Sequence, residues 1–373
     1  HISYYDDTAE YLKYAHKTGS GWQIERVDTA SQYVGKHTSI ALDSNGYPHI
    51  AYQDWWNERL KYAYRQADGW HIEVVDDLLV VGEYASLALD ASNSPHIAYY
   101  DAYRSDLKYA VKSAAGWTTV SLIEDGNVGQ YTSLAVDSAG NPHISYYDET
   151  HMAQQYAHLS TDGWQVELVG QDEVQGEQPS LAVDVWGDAH ASFYDPASGD
   201  LRYAQRSGIA WSVKTLDSAG DVGQNSTLVL GGDGRPRVTY YDATQGDLKY
   251  AYEDGSGWQT RVLDADGDVG RYSAQAIFTS VTYPISTTPV YTDYVHIGYY
   301  DAANGAVKYA LLDGNAVAPT IEIVDDQGDA GQFVSVALST TYGSLVQPYL
   351  SYYVADTGDL RCAWWDGAAW VTK

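Results

Sequence analysis

A repeat of about 47 residues returning eight times, four β-like segments within each repeat and the lack of any helical period together predict an all-β chain, an eight-bladed β-propeller of four-stranded antiparallel meanders. One segment carries the repeat most plainly. His1 to Asp6 (His-Ile-Ser-Tyr-Tyr-Asp) returns as His49 to Asp54, His96 to Asp101 and His143 to Asp148, then drifts through His190 to Asp195, Arg237 to Asp242, His296 to Asp301 and Tyr349 to Val354. The steps from Tyr4 through Tyr52, Tyr99, Tyr146, Phe193 and Tyr240 are 48, 47, 47, 47 and 47 residues. A repeat of this kind buries its faces only against its neighbours, so residues 1–373 are expected to form one domain, with a partial first blade over 1–35 and blades 2–8 from about 36 to 373.

Each blade is justified strand by strand. In the fourth, Ser133 to Asp137 reads as strand A and Ser138-Ala139-Gly140-Asn141-Pro142 is turn chemistry. His143 to Asp148 alternates as strand B, Gln155 to His158 is strand C, Thr161-Asp162-Gly163 turns the chain and Trp164 to Val169 is strand D. The A–B, B–C and C–D joints are hairpin-short, and D reaches the next A through a Gly-bearing loop such as Asp125 to Gln130. In Leu107-Lys108-Tyr109-Ala110, Leu and Tyr should face one neighbouring blade and Lys and Ala the other. The recurring Trp22, Trp70, Trp117, Trp164, Trp211, Trp258 and Trp370 open strand D as interblade wedges, and the repeated His before Ile reads as a structural hydrogen-bonding residue.

Strands B, C and D occur eight times but A only seven, beginning near Thr38, Ala85, Thr132, Pro179, Ser226, Ser273 and Val334. The first blade thus lacks its innermost strand. The chain opens at His1 in mid-repeat and without Met, so an upstream segment is expected. Either the missing strand lies there or the open edge accepts one from elsewhere, another copy of the chain included.

Composition narrows the partners. The formal charge, 21 − 50 = −29, disfavours nucleic acid and anionic membrane surfaces. No run approaches the roughly 18 to 20 apolar residues of a membrane span, so membrane insertion is not expected. The single Cys362 forms no disulfide framework and reads as a small apolar residue. An acidic, Tyr- and Trp-rich chain with one Cys and one Met fits a secreted or cell-surface protein.

The B–C and D–A loops should share one face. It collects Asp6, Asp54, Asp101, Asp148, Asp195, Asp242 and Asp301 beside Tyr5, Tyr100, Tyr147, Tyr194, Tyr241 and Tyr300. Carboxylates next to aromatic rings suit sugars or cations; each Asp equally suits an Asx turn. Asp264, Asp266 and Asp268, alternating around Gly267, resemble the start of a calcium loop, so Ca²⁺ is the one cofactor the sequence suggests. The spacing lengthens to 59 and 53 in the last two blades. The A–B loops there, with Tyr283, Tyr291, Asp293 and Tyr294 in one and Tyr342 in the other, are the expected partner contacts.

The Asp43-Ser44-Asn45-Gly46 and Asp137-Ser138-Ala139-Gly140 turns resemble the Asp-box turns of sialidase-like bacterial propeller repeats. The resemblance spans the chain as a blade pattern and implies a propeller and, through that family, glycosidase activity. Pro-His follows the Gly where the family's box has Thr-Trp, and no cluster of three arginines for a carboxylate substrate can be assigned from sequence. The reading is therefore a non-catalytic extracellular module that binds a glycan or protein. The alternatives are a self-assembling surface or filament subunit that uses the open first blade, and a sialidase-like glycosidase or lyase.

Overall fold

The computed structural model describes residues 1–18, 21–170, 176–283, 289–314, 318–341 and 345–373. These residues form eight antiparallel sheets, seven with four strands and one, the first, with three. The first consists of B (Ile2–Asp6), C (Tyr11–Thr18) and D (Gly21–Arg26). The second has A (Val34–Leu42), B (Pro48–Asp54), C (Arg59–Gln66) and D (Gly69–Asp76), and every later blade repeats that order. Blade 1 lacks strand A, as the strand count predicts, and its strand B is half-buried where those of blades 2, 3 and 4 are buried throughout. The chain divides into two compact units, residues 1–175 with 185–189 and residues 176–184 with 190–373. Blades 1 to 4 belong to the first and blades 5 to 8, apart from residues 185–189, to the second.

The strand pattern dictates where the core lies. Side chains alternate along a strand, so a blade has two faces to offer to neighbours within its unit. Among the described residues, six apolar clusters each join two adjacent blades, three clusters in either unit. Leu107 and Tyr109 pack on Val128, Ile144 and Tyr146 of blade 4, while Ala110 packs towards Leu60 and Tyr62 of blade 2. The Trp wedges behave as expected: Trp70 meets the Tyr14 ring edge-on at 5.0 Å and donates Nε1–H to Glu25 at 3.0 Å. Cys362 is buried, and burial pushes its thiol up to about 12.

Two polar devices recur, one within each blade and one between blades. In the first, the His that opens strand B places Nδ1 2.5–2.6 Å from a strand-C tyrosine hydroxyl in blades 1, 3, 4, 5 and 7, and His49 bonds Tyr62 likewise. Burial lowers the affinity of His49, His96 and His296 for protons, the last to about 4. In the second, an Asp at the end of strand D or, in blade 1, two residues past it receives a tyrosine hydroxyl and a cation from the next blade: Asp28 takes Tyr52 at 3.0 Å and Lys61 at 2.8 Å, and Asp264 takes Tyr299 at 2.7 Å and Lys308 at 2.8 Å. Asp76 with Tyr99 and Lys108, Asp217 with Tyr240 and Lys249, and Asp325 with Tyr352 and Arg361 repeat it.

Two expectations need correction. Strand A starts about four residues earlier than turn chemistry suggests, at Val34, Val81, Val128, Val222, Val269 and Ala330, because its Val-Gly opening pairs with strand B across two register shifts instead of looping away. The added residues of blade 7 lengthen the hairpin itself: strands A (Val269–Thr282) and B (Val290–Asp301) pair as far as Thr282 with Val290, so Tyr291, Asp293 and Tyr294 lie on a strand.

Candidate ligand-binding sites

The acids that close strand B are built into their own turns. Asp54, Asp101, Asp148, Asp195, Asp242 and Asp301 are buried, and each Oδ1 accepts a backbone N–H of the following turn: Asn57, Arg104, His151, Ala197, Gln245 and Asn304 at 3.0–3.1 Å. Asp6 accepts Ala9 N–H at 2.8 Å. The other oxygen faces a cation in most blades, as in Lys61 to Asp54 at 3.0 Å and Lys308 to Asp301 at 3.4 Å, and in Asp148 it meets the Gln155 amide and the His151 ring. Their lone pairs are thus committed to the blade.

The neighbouring tyrosines reach the D–A loops. Tyr100 donates to Asn127 at 2.6 Å, Tyr194 to Asp221 at 2.7 Å, Tyr241 to Asp268 at 2.6 Å and Tyr300 to Asp329. Burial and the bond to Asp329 push the Tyr300 hydroxyl up to about 12. Tyr147 is buried, and Tyr5 is half-buried under the Lys36 ammonium, 5.7 Å from its ring centre. The three acids of the calcium-like loop have separate partners: Asp264 binds Lys308, Asp268 pairs with Arg271 at 2.8 Å, and Asp266 donates its N–H to Asp264. Tyr283 is exposed at the hairpin end, Tyr294 packs on Phe278, and Tyr342 lies outside the described residues.

Two aromatic features escaped the sequence reading. The B–C turn of blade 2 carries Trp55 and Trp56, 49 % and 67 % exposed, where the same turn elsewhere holds pairs such as Glu149-Thr150 or Ala302-Ala303. Tyr33 stacks on Trp56 at 5.4 Å and tilts against Trp55 at 6.2 Å, and the Lys36 ammonium lies 4.9 Å from the Trp55 ring. Beside these rings opens a cleft of about 700 Å³ whose wall includes Tyr11, Arg26, Ser31, Gln32 and Asn57. Arg26 lies over the Tyr11 ring and donates to the carbonyls of Asp28 and Ser31 at 2.9 and 2.8 Å, which fixes the guanidinium in the wall. The double Trp was readable as a departure from the repeat.

The second feature had no sequence signal. Two residues after the strand-A glycine, six blades hold a non-glycine residue in the left-handed region: His37, Tyr84, Tyr131, Asn225, Tyr272 and Phe333, with φ between 49° and 52°. Bulky side chains avoid this conformation, and such outliers persist only where their surroundings over-determine them. Here the flanking bulges do so, together with bonds from the next blade: Thr132 donates to the Tyr84 carbonyl and Ser273 to that of Asn225. The rings form files along successive blades, His37 to Tyr84 at 5.2 Å and Tyr84 to Tyr131 at 4.9 Å in the first unit, Tyr272 to Phe333 at 4.7 Å in the second.

No family model matches the chain, and no curated protein matches it. Solved structures match it as folds. An ulvan lyase, a polysaccharide lyase, is 12 % identical over 100 % of this chain and 92 % of its own, with a TM-score of 0.49. A prolyl endopeptidase is 11 % identical over 90 % of this chain at a TM-score of 0.52, and the chain spans about half, 49 %, of its length. The Dos1 propeller is 11 % identical over 98 % of this chain and 92 % of its own at a TM-score of 0.55. At such identities the likeness is one of fold alone.

Proposed function

We propose that the protein is a binding module for glycans and that the Tyr33–Trp55–Trp56 platform with its adjoining cleft is its principal site. The observation that carries the reading is the pair of exposed tryptophans, stacked with Tyr33 and bordered by a cleft of about 700 Å³. Large exposed rings are not needed by the blade: blade 3 keeps one, Tyr103, at the place of Trp56, whereas blades 4, 6 and 7 close the same turn with Glu149-Thr150, Ala243-Thr244 and Ala302-Ala303, and contiguous exposed apolar surface marks interaction sites. The wall mixes hydroxyl, amide and guanidinium groups with the rings. A pyranose matches that mixture, its C–H face lying on indole while its hydroxyls exchange hydrogen bonds with Ser31, Gln32 and Arg26. The file of His37, Tyr84 and Tyr131 continues in sequence from Lys36 and offers further ring faces to a longer chain. A role outside the cell, where polysaccharides are met, follows from this ligand class.

Glycan-array screening followed by calorimetry tests the reading. A glycan bound by the wild type should bind at least about tenfold more weakly, roughly 1.4 kcal/mol, to Trp56→Ala, and the thermal midpoint should hold because Trp56 is mostly exposed. Undiminished binding by Trp56→Ala and Trp55→Ala would remove the platform from the site. Release of new reducing ends or unsaturated products from the bound glycan would replace binding with catalysis.

A further inference from the structure

We infer that a second saccharide site lies in the second unit, in the cleft of about 390 Å³ between blades 6 and 7, and that it takes one unit of a neutral sugar. Three of the chain's 21 basic side chains, Arg235, Arg237 and Arg261, line this cleft together with Tyr252, Tyr291 and Asp293. The cluster is not legible along the chain, since Arg237 and Arg261 lie on strands B and D with strand C between them.

The corresponding cleft between blades 2 and 3 shows what the repeat itself requires. There Tyr47 and His49 stand where blade 6 has Arg235 and Arg237, and Glu73 stands where it has Arg261. In that cleft Lys112 lies over the Tyr62 and Tyr64 rings at 5.6 and 4.7 Å; blade 7 has Leu312 at the equivalent place, and Arg261 covers the matching Tyr250 and Tyr252 rings at 5.3 and 5.1 Å. Arg261 therefore replaces a structural cation. Arg235 and Arg237 replace nothing of the kind.

Two further departures from the repeat converge on the same place. The long hairpin of blade 7 brings Asp293 and Tyr291 across to form a wall, and the A–B turn of blade 6 has become Gly231-Gly232 to admit it. A Cβ on Gly231 would stand 2.2 Å from Asp293 Oδ2, and one on Gly232 would stand 2.2 Å from Thr279 Cγ2. Asp293 accepts from Gly232 N–H at 3.1 Å, from Thr279 Oγ1 at 2.7 Å and from Arg237 Nη2 at 3.3 Å, which locks the wall in position. Arginines, glycines and hairpin thus alter together around one concavity whose size is that of a small-molecule site.

The lining selects the ligand class. Each guanidinium at the mouth already stands beside a carboxylate: Arg235 with Asp233 at 3.3 Å and Glu253 at 3.2 Å, Arg237 with Asp293. A free anion would compete with carboxylates fixed to the chain, and a cation would meet the guanidinium groups. A hydroxyl accepts from arginine and donates to the neighbouring carboxylate at once, so adjacent hydroxyls on a ring match alternating Arg and Asp. Tyr291, 42 % exposed on the rim, supplies a ring face.

The site is independent of the platform in the first unit, and the test separates them. The probes are the methyl glycosides of glucose, galactose and mannose and N-acetylglucosamine, titrated into the full chain while the arginine Nε–Hε signals are followed by NMR. At least one probe should shift the signals of Arg235 and Arg237 saturably. Tyr291→Ala and Arg235→Gln, both at the exposed mouth, should weaken that binding about tenfold, and Trp56→Ala should leave it unchanged. The inference is overturned if no probe shifts these signals while the variants keep the wild-type thermal midpoint, if sodium sulfate or acetate shifts them and the sugars do not, or if Trp56→Ala abolishes the shifts.

Discussion

At the scale of single residues, the repeat records its own double-mutant experiment. Where the position seven residues after the start of strand D is Asp, as at Asp28, Asp76, Asp217 and, by the same register, Asp264 and Asp325, the next blade supplies Lys or Arg on strand C: Lys61, Lys108, Lys249, Lys308 and Arg361. Where the same position is Ile123, the next blade has Gln155, which bridges Tyr146 and Asp148. A buried charge without its partner is strongly unfavourable, so the Asp lost at Ile123 goes with the cation lost at Gln155; where the position is Gly170, blade 5 keeps Arg202, which pairs with Asp195 and Asp200 of its own blade. Burial alone would raise the Asp76 carboxyl, but the bonds from Lys108 and Tyr99 outweigh it and hold the group below its usual range. Asp76→Ile alone should cost about 3–5 kcal/mol in urea denaturation, and adding Lys108→Gln should restore more than half of that loss. A double variant no more stable than the single one would refute the pairing. Lys108 and its equivalents were visible in the sequence as repeated positions, yet their partners were not, because register between blades is set by tertiary packing and leaves no local pattern.

At the scale of the element, strand A is where sequence reading and structure part most. Its Ser-Leu-Ala-Val body was legible by alternation, whereas its Val-Gly opening read as loop because glycine usually punctuates. The glycine is there for proximity. A Cβ on Gly129 would stand 2.8 Å from Leu107 Cα of the preceding blade, at a φ of +105°, and the equivalent contacts recur at Gly35, Gly223 and Gly270. Gly129→Ala should therefore destabilise by about 2–4 kcal/mol through strain and overpacking together. Gly140→Ala, at φ +86° with no atom within 4 Å of the added Cβ, should cost only about 1 kcal/mol. Equal losses at the two sites, read from denaturation midpoints, would show that the close approach to Leu107 is unimportant. The lengthened hairpin of blade 7 was visible as extra length, but whether added residues loop out or extend a ladder is decided by pairing along its whole run.

At the scale of the molecule, buried histidines set the response to acid. His49, His96 and His296 remain neutral in the folded protein at pH values where the unfolded chain, with imidazoles near 6.5, takes up protons. Their folded affinities are depressed, so their contribution is fully present above about pH 6.5 and is lost as pH falls towards 4. Below about pH 4 the lowered carboxyls of Asp76, Asp217 and Asp264 add a second loss. Urea denaturation at pH 7.0, 5.5 and 4.5 should show stability falling steadily, and His296→Gln should flatten that fall by up to about 3 kcal/mol of difference across the range. A flat profile would contradict the neutral burial of these groups. Blade number, the three-stranded first sheet and the interblade roles of Tyr and Trp were readable from periodicity, and the double Trp was readable as a break in it; the proposed arginine-lined cleft was not, because its residues come from separate strands. The left-handed position in strand A has a last consequence. Histidine, tyrosine, asparagine and phenylalanine all occupy it on nearly the same backbone, so it serves as a socket: the side chain plugged in can be exchanged to suit a different partner while the scaffold beneath stays untouched.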